Sequence, residues 1–131
     1  MAVADRRGLP VACWIASGQR NEQKLVVDTL KARFVRVLPE KLIGDRAYDS
    51  DPLDAELAKM GVEMISPPHP RRKRKTQDGR KLRRYRRRWH IERLFAWLQC
   101  SRRLITRYET KAQNFYGFLQ LACARILWRR L

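Results

Sequence analysis

Short apolar runs alternate with longer stretches of helical spacing along the first part of the chain. The run Val11 to Ala16 follows the turn signal Gly8-Leu9-Pro10 and has the length of a buried strand. The residues Met1 to Ala4 could form the end of a preceding strand, in a hairpin with this run. From Glu22 to Phe34 apolar side chains recur at helical spacing, with Pro39 beyond them, which predicts a helix.

The next segment repeats this alternation with shorter elements. Lys41 to Gly44 is a brief strand, and Val62 to Ile65 is another that ends at Pro67-Pro68. Between them, Ser50-Asp51-Pro52 combines a capping residue with a proline in the first turn, which predicts a helix that runs to about Met60.

Two amphipathic helices are predicted in the C-terminal third, from about Leu82 to Cys100 and from about Lys111 to Leu131. Their apolar residues have the spacing of helices packed on one side: Ile91, Leu94, Phe95 and Leu98 in the first, and Phe115, Phe118, Leu119, Ala122 and Ile126 in the second. The tryptophans of this region, Trp89, Trp97 and Trp128, are most simply core or helix-contact residues. Strands that alternate with helices and then give way to helices predict a layered α/β domain.

The charge balance is extreme for a chain of 131 residues, a length that fits one domain with a modest core. Thirty Lys and Arg against thirteen Asp and Glu give a net charge of +17, which repels itself unless an acidic partner neutralises it. Twelve of the eighteen residues from Arg71 to Arg88 are basic. This clustering favours a phosphate-binding surface, and so nucleic acid as the partner. A solvated charge run or a membrane-surface patch is the alternative, although the run lacks interleaved apolar anchors.

The cysteines and the apolar segments bear on the compartment. Cys13, Cys100 and Cys123 are odd in number and widely spaced, so neither a disulfide framework nor a zinc site is indicated, and a reducing cytoplasm is the simplest setting. The stretch from Ala112 to Ala124 lacks charge but is shorter than the roughly 20 residues that span a bilayer. No signal peptide is recognisable at the N-terminus.

One face of the first C-terminal helix carries polar and aromatic groups. At about 100° per residue, Tyr85, Arg88, Glu92 and Gln99 share a stripe about 60° wide. Glu92 is the one acid between Lys81 and Arg107. A plain ion pair between Arg88 and Glu92 is the simplest interpretation, and on a surface such a pair contributes only about 0.3–0.5 kcal/mol.

A second acid, Asp45, follows the short strand that ends at Gly44. The end of a strand at the mouth of an α/β sheet is a common place for a functional group, but Asp45 could equally cap a turn. Two carboxylates beside a basic tract, here Asp45 and Glu92, are ligands that could hold Mg²⁺ or Mn²⁺ against a phosphodiester. Tyr48 and Tyr85 could stack on bases, although packing is the simpler role for each.

Three segments carry a resemblance to a known family: Gly44-Asp45-Arg46-Ala47-Tyr48-Asp49-Ser50, Tyr85-Arg86-Arg87-Arg88-Trp89-His90-Ile91-Glu92-Arg93-Leu94-Phe95, and Arg102-Arg103-Leu104-Ile105-Thr106-Arg107-Tyr108. They resemble the C-terminal part of bacterial insertion-sequence transposases with an Asp-Asp-Glu site, the insertion sequence four and five groups. The resemblance extends from about Gly8 to the end of the chain. It implies a ribonuclease-H-like fold and an enzyme that cuts and joins DNA strands at the ends of a mobile element with divalent metal.

The resemblance also implies roles for single residues. Asp45 matches the second catalytic aspartate and Glu92 the glutamate, so that both are expected as metal ligands for Mg²⁺ or Mn²⁺. Tyr85 and Arg88 match the tyrosine and arginine ahead of that glutamate. The residues expected to contact DNA are Tyr85, Arg88, Gln99, Arg71, Arg72, Arg74 and Arg84.

Two departures from the family pattern define the expected activity. The family has a lysine where this chain has Gln99, which can donate a hydrogen bond to a phosphate but brings no charge. The family's first aspartate, on the central first strand, has no match here, because Asp5 matches a hairpin residue. Asp5 as a replacement for the missing ligand is only a minor alternative.

The expected fold is therefore an incomplete ribonuclease-H-like α/β domain, without its central first strand and with C-terminal helices, over residues 1–131. The expected function is DNA transposition by a partial transposase that is inactive alone. Its expected partners are the DNA of transposon ends and, as open alternatives, an upstream-frame product or a second copy. A non-catalytic basic nucleic-acid-binding protein, or a decayed remnant, is the alternative function.

Overall fold

A computed structural model describes residues 1–71 and 83–130 of the chain, and its elements are four strands, five α-helices and two short 3-10 helices. The strands are β1 (Ala2–Ala4), β2 (Pro10–Cys13), β3 (Lys41–Ile43) and β4 (Glu63–Ile65). The α-helices are α1 (Glu22–Lys31), α2 (Asp51–Lys59), α3 (Trp89–Gln99), α4 (Arg102–Ile105) and α5 (Ala112–Trp128). The 3-10 helices are Arg46–Tyr48 and Arg83–Arg88.

The first two strands form the hairpin that the sequence predicts. β1 and β2 are antiparallel, with Ala2 opposite Cys13 and Val3 opposite Ala12. Asp5 holds the turn, because its Oδ1 accepts hydrogen bonds from the backbone N–H groups of Arg7 and Leu9, each at 2.8 Å. This turn is the role of Asp5 in the structure, in line with its match to a hairpin residue.

The other two strands form a parallel pair joined by a helical crossover. Lys41, Leu42 and Ile43 lie opposite Glu63, Met64 and Ile65. Helix α2 connects them, with Pro52 in its first turn as predicted. Among the described residues, the hairpin and the parallel pair are two separate two-stranded sheets. The mixed α/β class is confirmed.

The hydrophobic core consists of two clusters with β1 between them. The first cluster lies under the C-terminal helices and comprises Leu9, Cys13, Leu94, Leu98, Ala122, Cys123 and Ile126. The second lies around the parallel pair and comprises Val26, Val27, Leu30, Leu53, Leu57, Val62 and Met64. Ala2 and Ala4 pack on the first cluster, and Met1 and Val3 pack on the second. This is the period of two expected of a strand that is covered on both faces.

Polar contacts join the C-terminal helices to the hairpin. The hydroxyl of Tyr116 donates to the carbonyl oxygen of Cys13 at 3.0 Å. The thiols of Cys13 and Cys123 meet in the first cluster; the hydrogen bond between them lowers the pKa of Cys13 and, together with burial, raises the pKa of Cys123. All three cysteines are free thiols.

Three expectations about the C-terminal region are wrong. The first amphipathic helix begins as an α-helix at Trp89, not near Leu82, and residues 83–88 form a 3-10 helix instead. Phe95 was expected in the core but is 45% exposed, and Trp128 is 85% exposed. Trp128 lies about 140° from the middle of the buried stripe formed by Ala122 and Ile126, so it cannot reach the core.

No helix among the described residues has the length and apolar character that crossing a bilayer requires.

Gly44, at the end of β3, lies where the structure has no room for a side chain. A Cβ there would approach Met64 Cε to 2.4 Å and Tyr48 Cδ2 to 2.7 Å. We expect Gly44→Ala to lower the free energy of unfolding by about 1–3 kcal/mol, measured by urea denaturation, because both side chains must move. Gly18→Ala is the matched control, since a Cβ at Gly18 meets nothing within 4 Å. Equal effects of the two substitutions would contradict the tight packing around Gly44.

Candidate metal and nucleic-acid site

An open cleft of about 590 Å³ lies where β3 and β4 end. Its lining residues are Asp45, Arg46, Ala47, Pro67 and Tyr85. Asp45 to Ala47 follow β3, Pro67 follows β4, and Tyr85 comes from the 3-10 helix Arg83–Arg88. The strand-end position that the sequence indicates for Asp45 is therefore confirmed.

The carboxylate of Asp45 has two environments. Its Oδ1 accepts a hydrogen bond from the backbone N–H of Ala47 at 2.9 Å and so caps the 3-10 helix Arg46–Tyr48. The residue is half-buried and lines the cleft. Both sequence interpretations of Asp45 thus describe its geometry, because one carboxylate oxygen caps a turn while the side chain borders a concave surface.

Helix α1 fixes the segment that carries Asp45. The amide of Gln23 donates to the carbonyl oxygen of Ala47 at 2.5 Å, and the hydroxyl of Tyr48 donates to Glu22 Oε2 at 3.2 Å. Burial, and then the negative charge of Glu22, raise the pKa of Tyr48, so its phenol stays protonated and continues to donate. Packing is therefore the observed role of Tyr48, which also contacts the second core cluster.

Tyr85, Arg88 and Glu92 form a chain of contacts that leads away from the cleft. The guanidinium carbon of Arg88 lies 5.7 Å from the centre of the Tyr85 ring, and Arg88 Nη2 donates to Glu92 Oε1 at 2.9 Å. In a 3-10 helix residues three apart eclipse each other, which places Tyr85 beside Arg88. In the α-helix that follows, residues four apart are neighbours, which places Glu92 beside Arg88.

Glu92 is not among the residues that line the cleft, and its side chain is 60% exposed. The structure thus realises the simple ion pair with Arg88 that the sequence left open. Gln99, the last residue of α3, is also exposed and lies about 10 Å along the helix axis from Glu92.

The basic residues expected to contact DNA are described in part. Arg71 and Arg84 are exposed, and the backbone N–H of Arg71 donates to Nδ1 of His69 at 3.3 Å. Arg72 and Arg74 lie outside the described residues. The backbone N–H of His69 donates in turn to Asp49 Oδ2 at 2.7 Å. This contact ties the start of the basic tract to the loop that follows Asp45.

The described residues contain no group of three or more His, Cys, Asp or Glu side chains that could hold a metal ion. Asp45 and Glu92 are hard oxygen donors of the kind that Mg²⁺ and Mn²⁺ prefer, so the donor chemistry fits these ions. Two carboxylates do not by themselves make a complete divalent-metal site.

Two cations that directly follow these acids in the chain, Arg46 and Arg93, are not among the predicted site residues. Arg46 lines the cleft beside Asp45, and its position directly after that acid was the available signal. Arg93 donates to the carbonyl oxygen of Arg7 in the hairpin turn, and its guanidinium lies over the rings of Trp89, at 4.7 Å, and Trp97, at 5.1 Å. No local pattern could have revealed this contact, because it joins residues 86 positions apart.

The comparisons with known proteins agree with the resemblance seen in the motifs. A Burkholderia cepacia protein named as a transposase for insertion sequence element IS402 is 32% identical over 137 residues, which cover 98% of this chain and 62% of that protein. The chain thus spans less than two thirds of the length of this relative. No solved structure matches the chain. Residues 1–127 match the family described as the transposase DDE domain, and the chain therefore belongs to that family.

Proposed function

We propose that this chain acts in DNA transposition, as the part of an insertion-sequence transposase that binds DNA and contributes two acids to a divalent-metal site. The observation that carries the proposal is the cleft at the ends of β3 and β4, which is bordered by Asp45 and by Tyr85. Tyr85 contacts Arg88, and Arg88 pairs with Glu92, so that contacts lead from Glu92 to a residue that lines the same cleft as Asp45. Membership of the transposase DDE domain family supports the same function.

Asp45 and Glu92 are the residues that would hold Mg²⁺ or Mn²⁺. An ion at such a site would activate a water molecule or a 3′-hydroxyl and stabilise the departing oxygen. Glu92 pairs with Arg88 at 2.9 Å, and this ion pair holds the carboxylate and the guanidinium side by side. Arg88 is the cation next to this acid that would bind a DNA phosphate.

The basic side chains hold the DNA strand. Arg46 borders the cleft directly, and Arg71 and Arg84 lie exposed on the segments that flank residues 72–82. Guanidinium groups bind phosphates with two parallel hydrogen bonds, and each neutralised phosphate releases counterions. Gln99 adds a neutral hydrogen-bond donor about two turns beyond Glu92.

The fold is a ribonuclease-H-like domain whose central first strand comes from a segment outside this chain. Among the described residues, β1 pairs with β2 alone and β3 with β4 alone. Residues of β1 and β3, Val3 and Leu42, pack on the same second core cluster, so the two sheets share one apolar layer. A strand between β1 and β3 would join them, carry the first aspartate and complete the metal site. An upstream-frame product of the same mobile element is the proposed source.

The cytoplasm is the compartment that this function implies. Three free thiols are compatible with a reducing setting.

A non-catalytic nucleic-acid-binding protein, or a decayed remnant, is the second candidate. The turn cap made by Asp45 and the ion pair made by Glu92 favour it, because both acids already have a structural role. Both candidate functions use the basic surface to bind nucleic acid, but the second candidate has no functional metal site.

DNA affinity is expected to depend steeply on salt. Neutralising about six phosphates gives a slope of log affinity against log salt near −5, measured by fluorescence anisotropy with duplex DNA from 50 to 300 mM NaCl. Substituting both Arg71→Gln and Arg84→Gln should reduce the magnitude of the slope by about two. A slope near zero for the unmodified chain would remove the DNA-binding assignment.

Mn²⁺ binding separates the two candidate functions. In the presence of DNA, the electron paramagnetic resonance signal of free Mn²⁺ should fall for the unmodified chain and fall less for Asp45→Asn and for Glu92→Gln. Glu56→Gln is the matched control, because Glu56 is an exposed carboxylate on α2, on a different element from either acid. The non-catalytic candidate is correct if the signal of free Mn²⁺ is the same for the unmodified chain and all three variants, and if Glu92→Gln keeps or slightly raises DNA affinity.

The chain by itself should not nick DNA above background, because only two of three acids are present. Supercoiled plasmid incubated with the chain and either Mg²⁺ or Mn²⁺ should stay supercoiled on an agarose gel. A nicking rate that Glu92→Ala abolished would show that the site is complete in this chain and that no further strand is required.

A further inference from the structure

The C-terminal helices carry a second cationic surface, separate in sequence from the basic tract at residues 71–88. The segment from Ser101 to Thr110 runs along helix α5 and is held there by three arginines. Arg103 lies over the ring of Phe118 at 5.3 Å, and Arg107 over the ring of Phe115 at 5.7 Å. Arg125 of α5 donates to the hydroxyl of Ser101 at 2.9 Å. We call this the α5 arginine surface; it comprises Arg103, Arg107, Tyr108, Arg125 and Trp128, together with Arg102 and Arg129, which are exposed and adjacent to them in sequence.

Two of its arginines are fixed by their own chain. Arg103 Nη1 pairs at 3.0 Å with Oε1 of Glu109, a carboxylate whose side chain is only 6% exposed. Arg107 donates to the carbonyl oxygens of Glu109 and Thr110 at 3.0 and 3.4 Å. These contacts hold the guanidinium groups in place, so that a ligand would lose less side-chain entropy when it binds them.

The surface has almost no acid to neutralise it. From Arg93 to Arg130, both included, the chain has eight basic residues, and Glu109 is the one acid. Because Glu109 is buried, it presents little negative charge to an incoming polyanion. The charge therefore fits a phosphate chain and opposes association with a second copy of the same surface.

Exposed aromatic rings lie at both ends of the surface. Trp128 is 85% exposed and Tyr108 is 71% exposed. Tyr108 is next to Arg107, which contacts Phe115 near the start of α5. Trp128 lies thirteen residues beyond Phe115, or about 20 Å along the helix axis. Along the helix, Leu121, Arg125 and Trp128 are exposed and fall on one stripe about 60° wide, about 110° from the middle of the buried stripe of Ala122 and Ile126.

Cations flanked by exposed rings suit a nucleic acid with unpaired bases. A duplex offers phosphates to the arginines but keeps its base faces stacked inside, whereas an unpaired strand offers both. We propose that the α5 arginine surface binds single-stranded DNA, with Trp128 and Tyr108 stacked on bases and the arginines on phosphates. The proposal rests on the DNA-binding function proposed above and adds a second contact surface for a strand that has left the duplex.

The test compares single-stranded and duplex DNA of one sequence, about 15 nucleotides long, by fluorescence anisotropy with the full chain. Trp128→Leu should weaken single-strand binding about fivefold or more, since stacking on one base is worth about 1–3 kcal/mol, and should change duplex binding less than about twofold. A double variant, Arg102→Gln with Arg129→Gln, should weaken single-strand binding more than Arg6→Gln with Arg36→Gln. The four arginines are all exposed, so both pairs remove the same charge, and circular dichroism checks that each variant is folded.

The outcomes separate this proposal from the function on which it rests. If the unmodified chain binds neither DNA, the proposed DNA-binding function fails. If it binds both but the two double variants are equally weakened, the α5 arginine surface is not the site and the basic tract remains sufficient. If Trp128→Leu weakens duplex and single-strand binding alike, or neither, stacking on unpaired bases is ruled out.

Discussion

The covering of β1 on both faces is the constraint on which the rest of the structure depends. A three-residue strand has little intrinsic stability, and here it is held because Ala2 and Ala4 face one apolar cluster while Val3 faces the other. Small alanines on one face allow the C-terminal helices to approach the hairpin closely. The larger valine fills the space toward the parallel pair. One strand thereby joins two cores that would each be small for an independent domain.

The sequence predicts the elements best where local chemistry and packing agree. The hairpin, the crossover helix and both C-terminal helices follow from apolar spacing and from Gly and Pro signals, since these patterns express the burial that stabilises them. Residues 83–88 deviate because none of them is buried, so no packed apolar face stabilises an α-helix there. Trp128 deviates because its angle on α5 places it on the side away from Ala122 and Ile126, although a tryptophan side chain favours burial.

The residues of the candidate site could be predicted from the sequence, but their arrangement in space could not. The strand-end position of Asp45 and the pairing of Glu92 with Arg88 depend on neighbours in the chain, and both were foreseeable. The cleft depends on Pro67, which the parallel pairing of β3 with β4 brings to the same sheet end as Asp45, and on Tyr85 from the 3-10 helix Arg83–Arg88. Asp45 belongs with the second core cluster through Tyr48, and Glu92 with the first through Ile91 and Leu94. Their separation is therefore set by the packing of two cores, which no motif encodes.

The contact of Arg93 with the hairpin turn gives the fold a mechanical linkage. Arg93 binds the carbonyl oxygen of Arg7 and follows Glu92 directly in helix α3. A displacement of the hairpin would pull on Arg93 and so rotate or shift the turn of helix that carries Glu92. The position of the helical turn that carries Glu92 therefore depends on a contact with a residue 86 positions earlier in the chain, and the hairpin and helix α3 are expected to move together.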